Sequence, residues 1–419
     1  MTDNITDIDT LIIGAGQAGI AMSEHLTSQE VPHLILEKKR IAEAWRSGRW
    51  DSLVANGPAW HDRFPGMNFP QKDQNIFVPK EEVADYFNAY VEKFNLPVQT
   101  GVEVLRVNRN LGTSGFTVET SQGTFNTQRI VSATGPFQIP VIPAIAPDIA
   151  DLYQIHSAKY RNPEQLPEGG VLVIGAGSSG VQIADELQRA GKKVYLSVGP
   201  HDRPPRHYRG RDFVWWLGVL GLWDTAATEP GKEHVTIAVS GAHGGTTIDF
   251  RELAQQGLNL VGRTESFDNG VVRFRDDLTA NIYAGDDNYL SLLDQADQYI
   301  ERNGLDFPEE PQAREFLADP ECMTNPILEL DLKQSGITTI IWATGYATDY
   351  SWLKVDAFDE NNQPKHHRGI STEPGVYFLG LPWLSRRGSS FIWGVWHDAK
   401  YIADQILIQR QYQQYNNEV

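Results

Sequence analysis

Apolar runs and helix-compatible segments follow one another in the same order at two places in the chain. Residues 10 to 13 predict a buried strand, residues 17 to 28 a helix, and residues 33 to 37 a second strand. The same order returns in residues 171 to 198, where Gly191 is a predicted helix stop. Each stretch is therefore a predicted strand, helix, strand unit, which is the building block of a parallel sheet.

The remaining patterns are weaker. The segments VEVLRVNRN, FTVETSQGTF and RIVSATG alternate like an antiparallel ribbon that returns to a parallel strand. A C-terminal helical face is predicted from Ala399, Ile402, Ala403 and Ile406. The apolar run from Phe213 to Trp223 and the helical insert at about residues 279–326 leave two interpretations open: walls of a substrate channel, or a buried helix and a surface flap.

A glycine-rich turn of the form G-x-G-x-x-G joins strand to helix in both units. In such a turn the first glycine allows a tight bend, the second lets the backbone approach a pyrophosphate, and the third lets helix and strand pack closely. One match is weak evidence. Here, however, a glycine-rich turn without a binding role would have to occur twice, each time between a predicted strand and a predicted helix. We therefore predict two dinucleotide sites, formed by Gly14, Gly16, Gln17, Ala18 and Gly19 in the first and by Gly175, Gly177, Ser178, Ser179 and Gly180 in the second.

The two sites differ at the tip of their second strand. Glu37 lies 18 residues past Gly19, where a carboxylate can accept hydrogen bonds from both hydroxyls of an FAD or NAD ribose. In the second unit the corresponding neighbourhood holds a hydroxyl and a run of arginines, which suit a 2′-phosphate. The alternative is a solvated basic loop with weak ion pairs. We predict FAD at the first site and NADPH at the second, with the 2′-phosphate bound by Ser197, Arg203 and Arg206.

Composition limits the partners. The 419 residues include 36 basic and 54 acidic ones, a net charge of −18, so nucleic acid or an anionic membrane would be repelled overall. The longest apolar run has 11 residues, short of the roughly 20 that span a bilayer, so we predict no membrane insertion and a cytoplasmic enzyme. A homodimer stays open. The single Cys322 rules out a redox cysteine pair, and we predict no metal site.

Several longer motifs resemble one enzyme family. The linker SATG ends at Gly135, HSAKYRNP begins at His156, and WATGY covers Trp342 to Tyr346. With both glycine turns, these motifs are similar to those of the class B flavin-dependent monooxygenases, and most to a bacterial branch near the YUCCA enzymes. The resemblance implies an α/β fold with two Rossmann-like domains, the NADPH domain inserted into the FAD domain. The expected ranges are 1–155 and 340–419 for the FAD-binding domain and 156–339 for the NADPH-binding domain.

The resemblance also implies roles for further residues. Asn56 matches an asparagine that faces the flavin, although Asn-Gly is also an ordinary turn signal. Trp45 would line the FAD site or serve as an aromatic core residue, and Val104 would contact adenine through its backbone. The motif residues Thr134 and Gly135 would contact the cofactor at the domain crossing. The C-terminal helix would direct its positive end at the flavin pyrimidine ring.

The implied chemistry belongs mostly to the cofactors. NADPH would reduce FAD, the reduced flavin would bind O2 as a C4a-(hydro)peroxide, and a small organic substrate would be oxygenated. In the Baeyer-Villiger fingerprint, Ala150 and Leu152 stand where phenylalanine and glycine belong, and His156 is either the fingerprint histidine or a packed linker residue. We therefore favour a soft nitrogen or sulfur as the oxygenated atom. Oxidative decarboxylation of a 2-oxo acid, an NADPH oxidase and a nucleotide-binding redox protein remain alternatives.

Overall fold

The computed structural model describes residues 5–226 and 236–415. The outermost ends of the predicted FAD-binding domain, residues 1–4 and 416–419, and residues 227–235 of the predicted NADPH-binding domain lie outside this range. The helices of the described residues are α1 (Gln17–Ser28), α2 (Glu43–Ser47), α3 (Lys80–Lys93), α4 (Ser178–Arg189), α5 (Phe213–Val219), α6 (Phe250–Gln255), α7 (Leu278–Asn303), α8 (Glu321–Thr324) and α9 (Ile392–Tyr415).

The strands are short except for β1 and β6. They are β1 (Ile5–Ile13), β2 (His33–Glu37), β3 (Val98–Thr100), β4 (Val104–Arg109), β5 (Phe116–Thr120), β6 (Gly123–Ser132), β7 (Ile139–Pro140), β8 (Tyr153–His156), β9 (Gly170–Ile174), β10 (Val194–Ser197), β11 (His207–Tyr208), β12 (Arg211–Asp212), β13 (Asn259–Val261), β14 (Thr264–Asp268), β15 (Val271–Phe274), β16 (Glu329–Asp331), β17 (Ile337–Trp342), β18 (Tyr346–Ala347), β19 (Leu353–Lys354), β20 (His366–His367), β21 (Ile370–Ser371) and β22 (Val376–Phe378).

The first large sheet draws its strands from both ends of the chain. Its main order is β19-β4-β5-β6-β1-β2-β3, with β22 also paired to β6. Strand β1 is parallel to β2 and to β6, whereas β4, β5 and β6 form the predicted antiparallel ribbon. Helix α9 packs on α1 beside this sheet, and its predicted apolar face is fully buried.

The second large sheet is parallel throughout, in the order β13-β10-β9-β17-β8. Every strand of this sheet lies between residues 153 and 342, so the sequence of the second unit interrupts that of the first. The predicted α/β class with two Rossmann-like units is confirmed. The expected domain limits at residues 155 and 340 fall inside β8 and β17, which the structure places whole in the second sheet.

The long helix α7 and the apolar helix α5 pack against each other. Trp216 of α5 shares a buried cluster with Tyr289, Leu293, Ala296 and Ile300, which form the inward face of α7. This packing favours the buried-helix interpretation of the run from Phe213 to Trp223. Among the described helices, none combines the length and apolarity that crossing a membrane requires.

Candidate active site

The first glycine turn has the geometry that a pyrophosphate needs. Gly14 has φ +107°, and a Cβ on it would lie 2.8 Å from the carbonyl oxygen of Ala133. A Cβ on Gly19 would lie 1.9 Å from the carbonyl oxygen of Gly14, so only glycine allows β1 and α1 to pack this closely. A Cβ on Gly16 would meet nothing within 4 Å. The open side of Gly16, at the N-terminus of α1, is thus where a phosphate can approach the backbone.

Glu37 ends β2 beside this turn. One carboxylate oxygen accepts the backbone N–H of Ala15 at 2.9 Å, and the other accepts the N–H of Lys39 at 2.8 Å. Each oxygen keeps a further lone pair, so the carboxylate is fixed and can still accept from ribose hydroxyls. The backbone N–H of Val102 donates to the carbonyl of Glu37, which brings the chain leading to Val104 to the same strand tip.

The other predicted flavin-side residues gather around α1. Gln17 links two of these parts: its Nε2 donates to the carbonyl of Ser390 at 2.7 Å, and its Oε1 accepts from the indole of Trp45 at 3.4 Å. Ser390 lies two residues before α9, so the start of α9 is fixed beside the glycine turn. Ala18 is buried in α1. At the end of β6, Gln138 donates to the hydroxyl of Thr134 and the carbonyl of Gly135.

The second glycine turn repeats the first. Gly175 has φ +104°, and a Cβ on Gly180 would lie 1.8 Å from the carbonyl oxygen of Gly175. Ser178 begins α4 and donates through its hydroxyl to the carbonyl of Ile237, and Ser179 follows it, half-buried. Gly177 is more crowded than Gly16, since its Cβ would lie 3.1 Å from a methyl group of Thr236. Both turns therefore fit a dinucleotide phosphate.

The predicted 2′-phosphate ligands are used inside the protein. Ser197 is buried: its hydroxyl donates to the carbonyl of Gly262 at 3.0 Å and accepts from Thr264. Arg203 and Arg206 are each 1% exposed and pair with Asp286 and Asp212. Burial lowers the pKa of Arg206, and the Asp212 carboxylate opposes that shift. These three side chains are therefore occupied within the protein, and the structure does not support the prediction that they bind a 2′-phosphate.

The buried ion pair of Arg203 is expected to stabilise the fold. Removing one partner leaves the other charge buried and unpaired, which typically costs about 3 to 5 kcal/mol. We expect Arg203→Met to lower the free energy of unfolding by less than that full amount, because Asp286 keeps Arg251 as a second partner. Urea denaturation measures the loss. If the variant instead unfolds like the parent and uses NADPH less well, the earlier assignment of Arg203 is restored.

Arg263 lies beside the tip of β10, the second strand of this unit, where a 2′-phosphate ligand is expected, and the sequence analysis did not identify it. Strands β10 and β13 pair in parallel with Ser197 opposite Val261, so Gly199 and Arg263 both lie two residues past that pair. A Cβ on Gly199 would lie 3.7 Å from the Cδ of Arg263. The Arg263 side chain is 48% exposed, and its Nε lies 4.0 Å from the nearest carboxylate, on Asp277. In the sequence, Arg263 is a single basic residue after a short strand. The pairing of β10 with β13 is what places it beside Gly199.

Asn56 lies between the two halves of the chain. Its Oδ1 accepts from the Nε2 of Gln182 on α4 at 3.0 Å, and its backbone carbonyl accepts from Arg206 at 2.6 Å. Gln182 is itself fixed by a bond to the carbonyl of Val239. The amide oxygen of Asn56 is thus occupied, and its NH2 group is the part left to donate to a ligand.

The surroundings of His156 and Cys322 indicate structural roles for both residues. Both ring nitrogens of His156 are used: Nε2 bonds the carbonyl of Gly345 at 2.9 Å, and Nδ1 accepts the N–H of Ala158 at 3.1 Å. Burial lowers the pKa of His156, so the ring is held neutral beside Tyr346. Burial also raises the pKa of the Cys322 thiol, which disfavours the thiolate that redox chemistry requires.

Comparison with known proteins agrees with this arrangement. Residues 11–209 match the family model described as pyridine nucleotide-disulphide oxidoreductase. The CzcO-like oxidoreductase of Geobacillus kaustophilus is 34% identical over 96% of this chain and 98% of its own. The probable indole-3-pyruvate monooxygenase YUCCA4 of Arabidopsis thaliana is 26% identical over 95% and 90%. The flavin-containing monooxygenase from Stenotrophomonas maltophilia superposes with a TM-score of 0.66, at 19% identity, over 96% and 99%.

The fold, the two dinucleotide turns and the full-length similarity define the class. The chain belongs to the family of the CzcO-like oxidoreductases, and it has the fold of the flavin-containing monooxygenases. It is an oxidoreductase, and its two glycine turns fit two dinucleotide cofactors.

Proposed function

We propose that this enzyme oxygenates a small organic substrate with one atom of O2, most readily at a soft nitrogen or sulfur, at the expense of NADPH. The observation that carries the proposal is the fixed amide of Asn56. Gln182 belongs to the helix of the second glycine turn, and it holds Asn56, which belongs to the half of the chain with the first turn. A neutral donor therefore stands where the two nucleotide-binding halves meet.

Each half would hold one cofactor. The turn at Gly14 to Gly19, with Glu37 and the start of α9, would hold FAD, and the turn at Gly175 to Gly180 would hold NADPH. Bound FAD accepts hydride from NADPH and activates O2, so the difficult chemistry belongs to the cofactor. The protein orients these groups. Because the amide of Asn56 is fixed before any ligand arrives, its N–H donates without reorganisation during the reaction, which is the condition for strong electrostatic stabilisation.

The linker geometry argues against ketone oxygenation. His156 uses both ring nitrogens inside the protein, and the fingerprint positions Ala150 and Leu152 lack the expected residues. The alternative of oxidative decarboxylation of a 2-oxo acid is supported by similarity to proteins named indole-3-pyruvate monooxygenases over most of the chain. An NADPH oxidase that releases only hydrogen peroxide is the remaining alternative.

One experiment separates these functions. The FAD-loaded enzyme is given NADPH and ¹⁸O2 with amines, sulfides, ketones and 2-oxo acids in turn, and NADPH loss, peroxide and labelled product are measured together. We expect ¹⁸O in an amine or sulfide product. Release of CO2 from a 2-oxo acid would establish the YUCCA-like reaction. One peroxide per NADPH with every compound would establish an oxidase and contradict the proposal.

We further propose that Arg263 binds the 2′-phosphate of NADPH. A charge-assisted hydrogen bond contributes about 1.5 to 3 kcal/mol, so Arg263→Ala should reduce the preference for NADPH over NADH by about ten- to hundredfold. Calorimetry with 2′,5′-ADP and 5′-AMP tests the same contact without turnover. Arg273 is similarly exposed, at 47%, but pairs with Glu329, which makes Arg273→Ala the matched control. Unchanged affinity for 2′,5′-ADP in Arg263→Ala would remove Arg263 from the site.

A further inference from the structure

His61 and Asp62 form a fixed carboxylate and imidazole pair five residues from Asn56. The Nδ1 of His61 lies 2.7 Å from the Oδ1 of Asp62, and the Oδ2 of Asp62 accepts the N–H of Gly57 at 3.0 Å. A Cβ on Gly57 would lie 2.4 Å from the Asp62 carboxylate. The loop is therefore built around this carboxylate, which places a proton on Nδ1 and leaves Nε2 of the neutral ring as an acceptor.

Indole rings from separate parts of the chain hold the imidazole. Trp223 and Trp393 lie nearly parallel to it, with ring centres at 5.4 and 5.7 Å, and Trp60 meets it edge-on at 5.5 Å. Trp223 comes from the second half of the chain, and Trp393 is in the first turn of α9. The ring is 7% exposed, and the indole rings and the Asp62 carboxylate together hold its orientation.

The Nε2 atom of His61 is buried and has no hydrogen-bond partner among the residues that the structure describes. An unsatisfied buried polar atom typically costs about 1 to 3 kcal/mol, and most such atoms in proteins have a partner. His25 and His33 are also buried, and both use their Nε2. In the described part of the chain, His201 has a buried Nε2 without a partner as well, but its Nδ1 bonds the carbonyl of Gly199 and not a carboxylate. The ring of His61 is held by Asp62 and the indole rings, and Nε2 alone has no partner among the described residues. This indicates that the partner of Nε2 is absent until ligands bind.

We propose that the His61–Asp62 pair is the proton-transfer group of this oxygenase, with Nε2 delivering the proton that each turnover consumes. The inference rests on the proposed function for its setting. The net reaction joins substrate, O2, NADPH and one proton to give oxygenated substrate, NADP⁺ and water. One oxygen atom goes to the substrate, and the other leaves as water. The proton passes from Nε2 to the departing oxygen, and solvent restores it.

Charges around the pair agree with this role. The Asp62 carboxylate bonds Nδ1 and leaves Nε2 for the transferred proton. Arg206, whose backbone-carbonyl contact is to Asn56, is already paired with Asp212. On the far side of Trp393 lie Arg386, which pairs with Asp224, and His397. Among the ionised groups that the structure describes around His61, Asp62 alone contacts the ring directly, so one carboxylate holds the proton on Nδ1.

Nuclear magnetic resonance tests the arrangement without turnover. In the resting FAD-loaded enzyme labelled with ¹⁵N-histidine, before the transferred proton is taken up, we expect one histidine with a strongly downfield Nδ1 proton and an unprotonated Nε2. This signal should disappear in His61→Phe, which keeps the ring stacking, and in Asp62→Asn. A His61 protonated on Nε2 in the neutral state would contradict the assigned tautomer and overturn the proposal.

Rapid mixing of the NADPH-reduced enzyme with O2 tests the role. Because general acids contribute about 10² to 10⁴ in rate, we expect flavin reoxidation to slow at least a hundredfold in His61→Ala, with hydride transfer from NADPH unchanged. Added imidazole should restore the rate in proportion to its concentration, an effect that a structural role does not produce. The matched control is His25→Ala, since His25 also packs on a tryptophan, Trp396, but has its Nε2 bonded.

The outcomes distinguish this inference from the proposed function. Peroxide release also consumes one proton, so dependence of reoxidation on His61 is measurable even if the parent proves to be an oxidase. Should His61→Ala lose FAD, Asp62→Asn retains the imidazole and takes its place, with a slowing of about tenfold or more expected. Reoxidation at the parental rate in a folded, FAD-containing variant of either residue overturns the proposal.

Discussion

Gly16→Val should leave a folded protein that no longer binds FAD. The space beside Gly16 contains no protein atom within 4 Å of a Cβ, so valine meets no obstacle from the chain itself. That space is the open side of the glycine turn at the N-terminus of α1, where the cofactor pyrophosphate needs to reach the backbone. The purified variant should be colourless, with flavin content below about one tenth of the parental value, a loss of more than 1.4 kcal/mol in binding at limiting cofactor.

Two other glycines make this result interpretable. Gly218 in α5 also has nothing within 4 Å of its Cβ and lies far along the chain from the turn, so Gly218→Val is the matched control and should keep FAD. Gly19→Ala would place its methyl group 1.9 Å from the carbonyl oxygen of Gly14 and should reduce folding as well as binding. Stoichiometric FAD in Gly16→Val, with circular dichroism unchanged, would mean that the flavin site lies elsewhere.

The features predicted well from the sequence depend on residues close together in the chain. A glycine turn, the strand before it and the helix after it occupy about twenty consecutive positions, and Glu37 follows by a fixed offset. The packed face of α9 is similarly a matter of local spacing. In these segments the spacing of residues along the chain also determines which of them are packed together, so the sequence alone is sufficient to predict the elements.

The structure does not support the prediction that the arginines near β10 bind a phosphate, and the reason is a different one. Asp212, the partner of Arg206, lies only six residues away, but Asp286, the partner of Arg203, lies 83 residues away. A cluster of basic residues in an acidic protein resembles a phosphate site until the carboxylates that pair with it are placed. Arg263 shows the converse: it stands alone in the sequence, and parallel pairing of β10 and β13 brings it to the strand tip beside Gly199.

The orientation of Asn56 likewise depends on distant residues. Gln182, which holds its amide oxygen, is 126 residues away in sequence, and Val239, which fixes Gln182, is 57 residues farther. An Asn-Gly pair read locally predicts a turn. The three-residue chain of hydrogen bonds instead makes the side chain a directed donor, which is a property that only the folded arrangement has.

This donor is the basis of the last prediction, that Asn56→Ala uncouples the enzyme. We expect the variant to retain FAD and near-parental hydride transfer, because the side-chain hydrogen bond that it loses goes to Gln182 and not to either glycine turn. Removing one preorganised donor typically reduces rate by about 10² to 10³, so oxygen transfer should fall by that factor while NADPH is diverted to hydrogen peroxide. Peroxide per NADPH, flavin content and melting temperature are measured together.

A turn-forming asparagine elsewhere separates this role from a loss of stability. Asn162 accepts from the N–H of Gln165 and donates to Asp51, so Asn162→Ala removes comparable turn contacts without touching the candidate site. If Asn56 only shapes its turn, both variants should melt at lower temperature and keep parental coupling. If Asn56 donates to the reacting groups, only Asn56→Ala releases peroxide. Because Gln182 fixes the amide, Gln182→Leu should uncouple the enzyme in the same direction with a smaller effect, which a role confined to the turn does not predict.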